Sequence, residues 1–111
     1  MSENRTEPRL LCASLVELRR RDRTRRQSRQ IVNLEDISLS GACIASDHRL
    51  PLNTPVVLDY INGQLPGVVR YSQYQDGTYF MGIRFSFGCK WADDCFQPEH
   101  LLDVQEIFKS R

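Results

Sequence analysis

Val56-Val57-Leu58-Asp59-Tyr60-Ile61-Asn62-Gly63, continued through residues 65–74, Asp76-Gly77 and residues 79–87, is the stretch that decides the fold. β-Branched and aromatic residues dominate it, and these suit a pleated, half-buried surface. Asn62-Gly63 and Asp76-Gly77 interrupt it. Such dipeptides mark two-residue hairpins, because both positions tolerate positive φ. The reading is three consecutive antiparallel strands, over 56–61, 65–74 and 79–87, with Phe80, Gly82 or Ile83, Phe85 and Phe87 as core contacts of the last.

Upstream, Pro51 and Asn53 mark a loop over 47–54. Residues 42–45 form a short apolar strand before it. Residues 10–18 are apolar-rich, and residues 30–38 carry Ile31, Leu34 and Ile37, so the two are expected to pair as a hairpin. The arginines at 19–26 then occupy its tip or its frayed ends. Six short strands joined by tight turns predict a mainly β domain, a closed or nearly closed six-stranded antiparallel β-barrel. Residues 1–9 lack apolar periodicity and are expected to form a flexible, arginine-bearing arm. Downstream, Pro98 suits a first helical turn. Leu101, Val104 and Phe108, with Leu102 and Ile107, have helical period, so a C-terminal α-helix over about 98–110 is expected to pack on the barrel. The segment 88–96 carries no readable period.

The chain of 111 residues fits one domain with a single modest core. No apolar run reaches the roughly 20 residues that span a bilayer, and the polar start has no signal-peptide character. A cytoplasmic location is the expectation. The formal net charge is +1, but Arg19, Arg20, Arg21, Arg23, Arg25, Arg26 and Arg29 crowd one stretch. That stretch is either a solvated hairpin tip or a surface for an anionic partner. Cys12 and Cys43 read as buried free thiols. Cys89 and Cys95 with His100 lack a fourth ligand and a zinc-site spacing, so no metal and no cofactor is expected. His48 and His100 read as exposed or structural, and no catalytic constellation points to an enzyme.

The motif Asp36-Ile37-Ser38-Leu39-Ser40-Gly41 carries chemistry. If the strand continues, Asp36, Ser38 and Ser40 share one face while Ile37 and Leu39 face the core. A carboxylate matches the N1–H and N2–H₂ donors of a guanine edge, the hydroxyl adds a donor or acceptor, and Gly41 permits an unusual backbone or close approach of a ligand. Asp, Ser and Gly are also what a turn prefers. The pattern arises by chance in roughly one chain in twenty of this length. Arg5-Thr6-Glu7-Pro8-Arg9 supplies the complement, since a guanidinium grips phosphate oxygens or the O6/N7 edge of guanine and stacks on a purine. Spacing does not single this pair out: Arg19/Arg23, Arg21/Arg25 and Arg25/Arg29 share it.

Order along the chain does. An R-x-x-x-R arm, a first hairpin, a D/N-x-S-x-x-G motif and a six-stranded barrel with a C-terminal helix together resemble the PilZ domain family of bacterial cyclic di-GMP receptors. Tyr79-Phe80-Met81-Gly82-Ile83-Arg84-Phe85 is similar to that family's late strand, though no family motif singles out Arg84. The resemblance implies that Arg5, Arg9, Asp36, Ser38 and Gly41 bind cyclic di-GMP, as one molecule or a stacked pair, with Arg21 and Arg25 the runner-up arginine pair. It further implies a non-enzymatic sensor acting on a downstream protein partner in motility, exopolysaccharide or biofilm control, as monomer or homodimer. Two other readings stay open: a nucleic-acid-binding barrel that uses the arginine-rich hairpin with exposed tyrosines, and a PilZ-like interaction module without ligand.

Overall fold

A computed structural model describes residues 9–21, 27–60, 63–91, Pro98 and 102–103. Among them are β1 (Leu10–Arg21), β2 (Gln27–Ile37), β3 (Gly41–Ser46), β4 (Pro55–Tyr60), β5 (Gly63–Gln75), β6 (Thr78–Phe85) and a two-residue β7 (Leu102–Asp103). The sheet runs β2-β3-β6-β5-β4-β1, and β2 pairs back onto β1, so six antiparallel strands close into a barrel. Closure removes the open edges that a flat sheet of this size would expose.

Alternation along β1 explains why it curls around a core. Cys12, Ser14, Val16 and Leu18 are buried, while Leu11, Ala13 and Leu15 face out. Leu34, Ile37, Ile44, Val69 and Met81 fill the interior with almost no exposed surface. The loop after β3 returns to one end of the barrel. There Leu50 is buried and its amide donates to the Met81 sulfur at 3.4 Å. Two register shifts matter below, one in β2 between Leu34 and Asp36 against β3, and one in β5 between Val69 and Tyr71 against β6. Each extra residue is an irregularity of bulge type, which bends a strand and re-aims its side chains.

The expected strands are all present, and most run a few residues longer than their apolar cores. Asp76 and Gly77 take φ of 52° and 85°, as the hairpin reading requires. Asn62 lies outside the described residues, but Gly63 opens β5 opposite Tyr60 and has no positive φ, so it is a strand residue and not the second position of the turn. Three further expectations need correction. Phe87 is fully exposed just beyond the end of β6, and Phe80, one position before the buried Met81, is only partly buried and lies outside the core, so neither is a core contact. Leu39 is exposed as well, because the chain leaves β2 after Ile37 and the strand period no longer governs it. Leu102 and Asp103, inside the segment assigned to the C-terminal helix, instead pair antiparallel with Leu11 and Leu10. The rest of that helix assignment, 99–101 and 104–110, lies outside the described residues.

Candidate functional site

Register places Asp36 of β2 opposite Cys43 of β3, Cys43 opposite Gly82 of β6, and Gly82 opposite Tyr71 of β5. Paired residues share a face, so these four form a row across the outside of the barrel. The bulge at Glu35 turns Asp36 outward while Leu34 and Ile37 on either side both stay buried.

Arg9 stands just before β1, and its Nη2 donates to Asp36 Oδ2 at 2.9 Å. The arginine side chain is 48% exposed and the carboxylate only 15%. Asp36 is thus the inner member of the pair and Arg9 its outer cover. Burial works against the Arg9 charge, but Asp36 and Tyr71 outweigh it, and the guanidinium is held above its ordinary pKa. The Tyr71 ring lies on Gly82, where a Cβ would run into the ring. Its hydroxyl meets Cys43 and Arg9, and burial followed by the Cys43 thiol raises its pKa. Burial and then the Asp36 charge also raise Cys43. Cys12, beside the same carboxylates but chiefly through burial, is pushed up to about 12. Both are inert thiols by this measure.

Ser38 sits on the loop that joins β2 to β3, and Gly41 is the first residue of β3. Ser38 N–H donates to the Gly41 carbonyl at 2.8 Å, and its hydroxyl reaches the same oxygen at 3.2 Å. Phe85 N–H bonds to Ser40 O, and Trp91 N–H to Leu39 O. The loop is therefore pinned from β6 and from the residues after it. Gly41 is required for packing: a Cβ there would lie 2.5 Å from the Ile83 carbonyl oxygen. Gly41 has no positive φ, so the unusual backbone allowed for from the sequence is absent, and the atom that crowds it is a backbone oxygen of the barrel.

Arg9, Asp36, Ser38 and Gly41 thus gather at one end of the β1–β2 hairpin, while Arg5 lies outside the described residues. Of the runner-up pair, Arg21 ends β1 at the opposite end of that hairpin, and Arg25 lies outside the described residues. Arg19 binds Asp59 of β4 through two hydrogen bonds, at 2.7 and 3.2 Å, and Arg29 meets Glu17 at 3.5 Å. Tyr71 is the residue of this face that sequence missed, a neighbour of Arg9 and Cys43. Its facing glycine, in Met81-Gly82-Ile83, was the available signal. Among the described residues no cluster of His, Cys, Asp and Glu could hold a metal ion. No helix among them is long and apolar enough to cross a membrane.

No curated protein matches the chain. The PilZ domain family model matches residues 3–100. Closed barrel, paired motif residues and a match over most of the chain agree: the protein belongs to the PilZ domain family, a family of cyclic di-GMP-binding receptor domains.

Proposed function

We propose that this protein is a cyclic di-GMP receptor in which Arg5, Arg9, Asp36, Ser38 and Gly41 bind the ligand. The observation that carries the reading is the Arg9–Asp36 pair, a fork-shaped donor and a carboxylate held 2.9 Å apart on the outer face. The carboxylate accepts from a guanine's Watson–Crick edge, and Ser38 lies on the adjoining loop to assist it. Freed from Asp36, Arg9 takes a phosphate or the O6/N7 edge, with Arg5 as its partner on the arm. Tyr71, 47% exposed, adds a flat apolar surface beside them. Residues 1–9 act as the moving arm, and the barrel from residue 10 onward with its C-terminal segment is the scaffold. Binding exchanges one ion pair for several charge-assisted contacts, so the liganded arm is the favoured state and presents a new surface.

The protein then acts without catalysis, in the cytoplasm, through a downstream protein partner as monomer or homodimer. Motility, exopolysaccharide or biofilm control is the regulated process. The arginine-rich hairpin supports a nucleic-acid reading less well, since Arg19 and Arg29 already have acidic partners. Calorimetric titration of the purified protein with cyclic di-GMP is the test. Saturable binding with a micromolar or tighter Kd is expected, and Asp36→Ala should abolish it while the circular dichroism spectrum is unchanged. Absence of binding at tens of micromolar would overturn the reading and favour an interaction module without ligand.

A further inference from the structure

The outer face that carries Asp36 holds another cation, and it belongs to neither motif. We propose that Arg84 is a further ligand-binding residue that contacts a phosphate of the ligand from the β6 side. This rests on the cyclic di-GMP reading above. Ile83 and Phe85 are buried, so Arg84 between them projects from the outside of the barrel, where it is exposed. Its register partner on β3 is Gly41. Gly41 contributes no side chain, so on the β3 side Arg84 is unscreened from the loop that carries Ser38.

Distance fits the ligand. Asp36 and Arg84 are separated by two strand spacings and one two-residue step, which sets their Cα atoms on the order of 12 Å apart. A cyclic dinucleotide with one guanine at Asp36 extends its phosphodiester ring across that interval, and an arginine side chain reaches several ångströms back toward it.

Charge points the same way. The ligand carries two phosphodiester charges, and Arg9 is already shared with Asp36. Arg84 makes no ion pair among the described residues, so it surrenders nothing on binding. A hydrogen bond to a charged group contributes about 1.5–3 kcal/mol, equivalent to roughly tenfold or more in affinity.

Calorimetry on the full-length protein tests this with Arg84→Ala, Arg84→Lys and Arg70→Ala. Arg70 is also exposed, but it lies in the irregular segment of β5 and serves as a control for net charge. Arg84→Ala is expected to weaken cyclic di-GMP at least about tenfold, Arg84→Lys to recover part of the loss, and Arg70→Ala to stay within about twofold. Thermal midpoints without ligand should match the parent, since Arg84 is exposed and makes no ion pair among the described residues. If the parent binds and Arg84→Ala binds equally well, Arg84 has no such role and the receptor reading stands. An equal loss in Arg70→Ala would mean a nonspecific charge effect and would also overturn the assignment. If the parent itself does not bind, both proposals fall.

Discussion

At Gly41 an added methyl would stand 2.5 Å from a backbone oxygen, that of Ile83, whereas at Gly82 it would meet the Tyr71 ring. The two obstacles differ in what can yield. β6 cannot retreat without breaking its ladder to β3, but a half-exposed tyrosine ring can swing aside. Gly41→Ala should therefore destabilise the fold by about 1–3 kcal/mol, the usual range for overpacking, measured by urea denaturation. Gly82→Ala should unfold close to the parent yet lose ligand affinity, because Tyr71 is driven from Arg9. Equal stability losses in the two variants would contradict this division. The cysteines give an independent check. Cys12 and Cys43 are buried with raised pKa, while Cys89 is only partly buried. Iodoacetamide at pH 8 should label Cys89 well before either, as read by peptide mass mapping, and rapid labelling of Cys12 would count against its placement.

Between elements, the contact joining the first hairpin to β4 has a defined response to acid. Arg19 donates twice to Asp59, and this hydrogen bonding, more than any other influence, holds the Asp59 carboxyl below the ordinary aspartate value of 3.8. A carboxyl with a depressed native pKa contributes stability that is fully present above the unfolded value. That stability is lost as pH falls through the native one. Asp59→Asn should lower the thermal midpoint at pH 7, and the deficit should shrink as pH drops below 3.8. A deficit that stays constant down to pH 2.5 would exclude the ion pair as its cause. Strand identity was legible in the sequence because Asp-Gly and apolar alternation act locally. Leu39 and Phe87 were misread because strand period was carried past the ends of β2 and β6. The pairing of Leu102 with Leu11 joins residues at opposite ends of the chain, so no local signal could announce it. Arg9 and Asp36 were legible as a pair through their family order, but Tyr71 reaches them only through register and an irregular residue in β5.

For the molecule as a whole, a net charge of +1 coexists with a run of seven arginines, and the fold resolves part of that tension. Closure brings β4 against β1, which sets Asp59 on Arg19, and the β1–β2 ladder sets Glu17 near Arg29. Two of the seven are thus neutralised by acids that are distant or cross-strand. The exposed tyrosines do not complete a nucleic-acid platform: Tyr74 packs on Tyr79 with centroids 4.8 Å apart, and Tyr71 lies against Gly82 near Asp36. A phosphate backbone approaching Tyr71 would meet that carboxylate unless its ligand had a guanine to offer. Single strands bind through a continuous basic groove with open stacking surfaces, and such binding weakens steeply with salt. The expectation is that a fluorescein-labelled 12-mer RNA shows at most weak anisotropy change at 50 mM salt and none at 200 mM with micromolar protein. Cyclic di-GMP affinity, carried by a few buried or bidentate contacts, should change far less over the same range. Submicromolar RNA binding that survives 200 mM salt, and that Asp36→Ala leaves intact, would move the protein's function from the Asp36 face to the arginine hairpin.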